Sequence, residues 1–456
     1  MALCRSFALV VVSCFVFACG SRNQGSDDVD ASTGGGKPDA CTDLACFIQD
    51  CGSKGLPSTS VSGTVYAPNG TLPLYGVTVY VPASDPGPLP DGVQCGQCST
   101  TLLGGSLAQA VTDEAGNFTL NGVPATKEVP LVIQVGKWRR QIKLPNVAAC
   151  QDTPLVKAET TLPRTKAEGD IPRIAITTGN ADALECLIRK IGIADSEFTT
   201  DAGDGRVHLY NGNGANQFAA GFPGGTGAFP NATTLWNTTA KLAGYDITLL
   251  SCEGQQNPGT KPQEALQAVH DYADAGGRLF MSHWHNIWVG GNQSVPTHSL
   301  PDWKEIATFN FAATQPDTVQ KAVVDETVPK GMAFATWLQN VGASPTRGEI
   351  DILAPRYIVQ AVDPAKAERW VYIDPAKSTP AGRTGVQDFL FTTPVAAAPE
   401  QRCGKVVLSD MHVSSGSTSR AATPFPGGCA MTDLSPQEKA LAFIFFDISS
   451  CIGVLQ

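Results

Sequence analysis

Charge is scarce in this chain. Only 16% of its 456 residues are Asp, Glu, Lys or Arg, and acidic residues lead basic ones by 42 to 32, giving a net charge of −10. Neutralising phosphates takes clustered Lys and Arg, so this balance argues against a nucleic-acid partner. Long apolar runs are also missing. Beyond the first twenty residues none approaches the ~18 needed to span a bilayer. Histidine is rare, with six in all, so each one can be weighed individually. Gly and Pro, at 46 and 32, stay below the share that marks wholesale disorder. Hydrophobic residues, at 42%, are sufficient for a large core. The length is about three times a typical domain of ~150 residues, so two or three domains are expected.

Residues 1–18 read MALCRSFALVVVSCFVFA. One cation, Arg5, precedes an apolar stretch from Phe7 to Ala18, the pattern of a signal peptide rather than a membrane span. The following Val16-Phe17-Ala18-Cys19-Gly20 resembles the lipobox of bacterial lipoproteins. That resemblance implies cleavage before Cys19 and lipid attachment there, by palmitate-type chains. With Gly20 rather than Asp in the next position, it implies anchoring to the outer membrane or cell surface. Multiple acyl chains give stable attachment, at ~0.8 kcal/mol per buried methylene. Residues 19–40 read as a flexible tether, since Val29 is the one aliphatic residue larger than Ala between residues 20 and 40.

Cysteine is abundant, at 14. Cys4 and Cys14 leave with the signal and Cys19 takes lipid. An exported chain with eleven others is expected to form disulfide bonds. Six fall in the first half (Cys41, Cys46, Cys51, Cys95, Cys98, Cys150), the earliest of them in a Cys-rich segment over residues 41–56. The remaining five (Cys186, Cys252, Cys403, Cys429, Cys451) leave one unpaired. Cys95 and Cys98 have the C-x-x-C spacing of redox and zinc sites, but they sit in a Gly/Pro-rich loop with no second pair at that spacing. A structural disulfide role is expected. Cys252, beside Glu253, is either a reactive free thiol or a buried residue paired with a partner such as Cys186.

Residues 57–165 alternate with period two between turn signals, predicting a small β-sandwich. Gly63-x-Val65, Gly76-Val77-x-Val79, Thr112-Asp113-x-x-Gly116-x-Phe118-x-Leu120 and Val123-Pro124 resemble the carboxypeptidase regulatory-like domain, a transthyretin-like module. The family implies support or adhesion without catalysis. Lys137-Trp138-Arg139-Arg140 is expected to pack Trp138 on a sheet face with its arginines in water. The alternative is a grip on carbohydrate or an extracellular polymer.

From residue 170 to 456 short apolar strands alternate with helices, predicting an α/β domain with a mostly parallel (flavodoxin-like) sheet. Asp182 and Glu185 read as a capping box for a helix ending at Ile191. Helices are also expected over 233–243, 262–275 and, as an amphipathic closing element, 436–449. Ligands of open parallel sheets bind at the carboxyl ends of the strands. That rule selects Thr177 to Asp182, Ser251 to Gly254, Ser282 to His285, and Ser409 to His412. Three of the six histidines fall among them.

The succession of a strand after Tyr245-Asp246, a Glu253-Gly254 loop, a helix ended by Gly276-Gly277, and a strand running into Ser282-His283 resembles the class I glutamine amidotransferase-like superfamily. The trehalose-utilisation-type branch is similar. The resemblance implies a nucleophile at Ser282, a base at His412 and a carboxylate at Asp410. Ser stands where the family has Cys, and Met281 and Trp284 replace the glycines of an elbow. The leading expectation is therefore a lipid-anchored envelope protein with a binding or structural role and no amidotransferase activity. One alternative is an extracellular hydrolase using Ser282 and His412. Another is a zinc-like divalent metal held by His283, His285 and His412.

Overall fold

The computed structural model describes residues 43–96, 102–313, 318–413 and 423–452. The signal segment, Cys19 and the tether lie outside the described residues. Residues 43–456 form one compact unit. No helix among the described residues is long and apolar enough to cross a membrane.

A ten-stranded mixed sheet organises the unit. Its strands are β1 (Ile174–Thr178), β2 (Phe198–Thr199), β3 (Val207–Asn211), β4 (Ile247–Leu250), β5 (Arg278–Ser282), β6 (Gln320–Val324), β7 (Glu349–Ile352), β8 (Ala367–Ile373), β9 (Gly385–Thr393) and β10 (Gly404–Ser409). In space the order is β7-β6-β8-β9-β10-β5-β4-β1-β3-β2. From β10 to β2 all neighbours run parallel; from β10 to β7 all run antiparallel. Strands β1, β4, β5 and β10 are buried at every position. This is why they read as unbroken apolar runs rather than alternating ones. The antiparallel half, β6 to β9, has no counterpart in the sequence reading.

Four longer helices pack on this sheet. The first, α1 (Leu184–Lys190), starts without a side-chain cap, so Asp182 and Glu185 do not form the expected box. The second, α2 (Gln263–Asp274), ends at Gly276, whose φ of +115° suits glycine. The third is α3 (Pro329–Asn340). The last, α4 (Pro436–Ser449), opens on a capping box of Ser435 and Glu438. It is not amphipathic as expected: every residue from Ala440 to Ser449 is buried. The helix expected over 233–243 is two short ones, Thr233–Trp236 and Thr239–Leu242. Thr238 interrupts them because its hydroxyl accepts from the Lys241 amide and caps the second.

Two smaller sheets precede the large one. Ser60–Thr64, Asn117–Asn121 and Asp152–Pro154 make the first. Thr78–Val81, Ala108–Val111, Lys127–Val135 and Trp138–Asn146 make the second. Trp138 packs against Phe445 and Phe446 of α4, so the smaller sheets share a core with the large one. Arg139 departs from the expectation that it faces water. It is 1% exposed and its Nε donates to Asp170 at 2.8 Å.

Disulfides join Cys51 to Cys150, Cys95 to Cys403 and Cys186 to Cys429. Cys46 and Cys451 are disulfide-bonded as well. Cys95 is thus bonded across the molecule rather than to Cys98. These bonds suit an oxidising or extracellular location. Among the described residues the free thiol is Cys252, which is buried.

Candidate functional site at the strand ends

The loops after β1, β4, β5 and β10 converge at the carboxyl edge of the parallel strands. Gly179 permits one close approach. A Cβ there would sit 2.3 Å from the Cys252 carbonyl oxygen, which also accepts from the Ala181 amide at 3.0 Å. Asp182 follows, fully buried. Its Oδ2 accepts from the Ser282 hydroxyl at 2.6 Å, and its Oδ1 accepts from the Val413 amide at 2.8 Å and the Ala183 amide at 2.9 Å. Strand β5 ends at Ser282, and the chain turns at once into a 3-10 helix, His283–Asn286. His283 makes that turn at φ +37°, a left-handed conformation rare for a residue with a Cβ and common at functional sites.

Cys252, His283 and His412 meet here. Each offers a ligand atom, and these atoms all lie within 4.8 Å of one another. The Cys252 sulfur is 3.5 Å from His283 Nδ1, and the two imidazole centroids are 5.3 Å apart. All three residues are 2% exposed or less. His283 Nε2 and both ring nitrogens of His412 are buried without a hydrogen-bond partner. Orphaned buried polar atoms are uncommon and call for an explanation such as a bound ion.

Burial sets the charge state of the trio. It holds His283 well below the ordinary imidazole range, with His412 and then Arg356 adding repulsion. It lowers His412 to about 4, partly opposed by Asp182. It pushes the Cys252 thiol up to about 12 against the amides of Trp284 and Gly254. Without an ion the set is therefore one neutral thiol and two neutral imidazoles. A divalent cation would draw the thiol proton off and bind thiolate.

The other sequence candidates lie nearby but are differently engaged. The His285 ring is committed elsewhere: Trp288 Nε1 donates to its Nδ1 at 2.9 Å, which leaves Nε2 to donate to the Ser251 carbonyl at 3.0 Å. The 3-10 turn has sent it away from His283, so the expected His-x-His pair does not share a face. Ser282 gives its proton to Asp182, and no hydrogen bond links it to His412. Asp410 accepts weakly from the Val359 amide at 3.4 Å, and burial raises its carboxyl to about 7. It does not bond His412 either. Glu253 forms a buried pair with Lys261 at 2.8 Å, further fixed by Asn257. Cys252 carried a signal in the sequence as the odd cysteine at a strand end. Asp182 fell within the strand-end selection, but its likeness to a helix cap concealed its role between the two loops.

A cavity of about 590 Å³ lies at the opposite edge of the sheet, near Asp246 and Arg278 at the strand starts. Its charged groups are already engaged: Lys137 and Asp246 pair at 2.6 Å, and Arg278 donates to the carbonyls of Gly276 and Cys403. None of the Cys–His trio lines it.

No family model and no curated protein matches this chain. Among solved structures, a ThuA-like protein from Bacteroides uniformis is similar at 11% identity, covering 60% of this chain and 90% of that one, with a TM-score of 0.29. A type II cohesin–X-dockerin complex from Acetivibrio cellulolyticus is similar at 19% identity over 32% of this chain and 78% of that one, with a TM-score of 0.15. Scores this low carry no functional weight. The chain is a disulfide-bonded α/β protein built on a large mixed sheet.

Proposed function

We propose that this chain is an exported cell-envelope protein, lipid-anchored at Cys19, that binds a zinc-class divalent metal ion through Cys252, His283 and His412. The observation that carries the reading is the buried free thiol with one ligand atom from each of His283 and His412 within 4.8 Å, on two buried rings that leave three nitrogens without a hydrogen-bond partner. Thiolate and imidazole donors suit zinc, and three protein ligands leave a fourth position for an exogenous group, where the ion would act as a Lewis acid. The place in the fold supports the reading. Taken alone, the parallel strands β3-β1-β4-β5-β10 have the 2-1-3-4-5 order of flavodoxin-like sheets. The crevice between β1 and β4, from which Asp182 and Cys252 project, is the switch point where such sheets bind ligands. The two smaller sheets, as a carboxypeptidase regulatory-like sandwich, would serve as support. The serine-hydrolase reading draws no support from Ser282, whose proton is held by a carboxylate.

The test is elemental analysis of protein purified without chelator, followed by cobalt substitution. The expected result is one metal per chain and a thiolate-to-cobalt charge-transfer band, both lost in Cys252→Ala and reduced in His283→Ala and His412→Ala. Protein that takes up no stoichiometric metal, or a Cys252→Ala variant that keeps the band, overturns the reading. Separately, labelled palmitate is expected in the wild-type chain and not in Cys19→Ala.

A further inference from the structure

We infer that Asp182 is the positioning residue of this centre, a single buried carboxylate that fixes both histidine-bearing loops from a third loop. The inference rests on the metal reading and extends it to how the site is held in shape. The Ser282 hydroxyl, which Asp182 Oδ2 accepts at 2.6 Å, belongs to the residue immediately before His283. The Val413 amide, which Oδ1 accepts at 2.8 Å, belongs to the residue immediately after His412. These partners lie 100 and 231 residues away in sequence. Strands β5 and β10 pair up to Ser282 and Ser409, and Gln437 of α4 donates to the His412 carbonyl. Beyond the end of the ladder, the Asp182 carboxylate is the side chain that bonds both histidine-bearing loops.

The bonds are of the stronger kind, because a carboxylate accepts from a hydroxyl and two amides where no water competes. Second-shell carboxylates of metal sites more often bond the ligand imidazole itself. Here neither ring does so, since His283 Nε2 and both nitrogens of His412 are partnerless. Asp182 therefore acts through the adjacent backbone and Ser282, setting where each ring stands rather than its tautomer. The left-handed turn at His283 makes this restraint necessary. A residue held in a sparsely populated conformation stays there only when its surroundings over-determine it. The Ser282 hydroxyl bond pins that conformation one residue upstream.

The experiment measures metal affinity and the cobalt absorption spectrum of the full chain for wild type, Asp182→Asn, Ser282→Ala, Ser282→Thr and Thr160→Val. Asp182→Asn keeps the shape and one acceptor, and is expected to weaken metal binding 10- to 100-fold, the usual effect of a lost second-shell partner. Ser282→Ala breaks one arm and is expected to lower affinity less, with a shifted cobalt ligand-field spectrum. Ser282→Thr restores the hydroxyl and with it the wild-type spectrum. Thr160→Val removes the hydroxyl that donates to the Thr64 carbonyl at 2.6 Å, beside the three-stranded sheet, whose strands carry none of the site residues, and is expected to lower thermal stability while leaving affinity and spectrum unchanged. If Asp182→Asn does not fold, the Ser282 pair decides alone. Wild-type affinity and spectrum in both Asp182→Asn and Ser282→Ala, or in Ser282→Ala alone if Asp182→Asn is lost, overturn the inference. A wild-type chain that binds no metal fails at the earlier step and removes the proposed function as well.

Discussion

Acidification is expected to weaken the fold through His208, and the size of the effect follows from its surroundings. The ring is 1% exposed on β3. Its Nε2 faces the Gly205 carbonyl at 3.0 Å, which can only accept, so the proton sits on Nε2. Its Nδ1 therefore accepts from the Tyr245 hydroxyl at 2.8 Å, and that hydroxyl accepts in turn from Tyr210 at 2.7 Å. A second proton on Nδ1 would oppose the Tyr245 donor and reverse the chain of bonds. Burial dominates in lowering this histidine to about 4; Arg173 and Lys241 also lower it, and the Gly205 bond and Asp201 act the other way. The unfolded chain takes up this proton near pH 6.5, whereas the folded one resists until about pH 4. Between those values the unfolded state binds more protons, so stability falls as pH falls, and it levels off below both. A gap of that width corresponds to about 3 kcal/mol at most, at ~1.36 kcal/mol per unit. Urea unfolding of wild type and His208→Gln at pH 7, 6, 5 and 4 isolates this residue from other buried histidines. The stability gap between the two is expected to shrink by about 3 kcal/mol from pH 7 to pH 4. Parallel curves across that range would refute the reasoning.

Other expectations are more direct. Lys261→Met leaves the Glu253 carboxylate buried without its partner at 2.8 Å. It is expected to cost about 3–5 kcal/mol in urea unfolding, recovered in part by pairing it with Glu253→Gln. Gly179→Ala drives a methyl into the Cys252 carbonyl at 2.3 Å, so thermal melting should show a loss of about 1–3 kcal/mol and cobalt uptake should weaken with it. Opening the Cys95–Cys403 bond with a double alanine variant frees a loop whose ends are 308 residues apart. Chain entropy puts the loss at about 6 kcal/mol as an upper figure, read as a fall in the urea midpoint.

Much of the parallel half was legible because each strand carries a local signal. Ile174–Thr178 and Ile247–Leu250 are short apolar runs between helices, and the rule about strand ends selected all four site loops. Strands β6 to β9 were invisible for an equally physical reason. Gln320, Asp325, Gln387 and Asp388 put polar residues inside buried stretches, which breaks the apolar pattern a strand is read from. Within the site, His283 and His412 were legible by place, while the exchange of His285 for Cys252 was not. It depends on β5 ending one residue before the first histidine, and element boundaries are the least certain part of any periodicity. Asp182 lay in a selected loop, but its role was misread for a different reason. An acidic residue shortly before a helix looks like a cap, and only the third dimension shows its oxygens facing two distant loops.

Strand β10, from Gly404 to Ser409, lies between β5 and β9 although it follows both in sequence. While the chain is being made, those two strands must wait with open edges for a segment that emerges more than a hundred residues after β5. The middle of the sheet is the last part to be filled, and the same late segment brings His412. A nascent chain without its final stretch therefore leaves two strand edges unpaired, and Cys252 and His283 stand in it without His412.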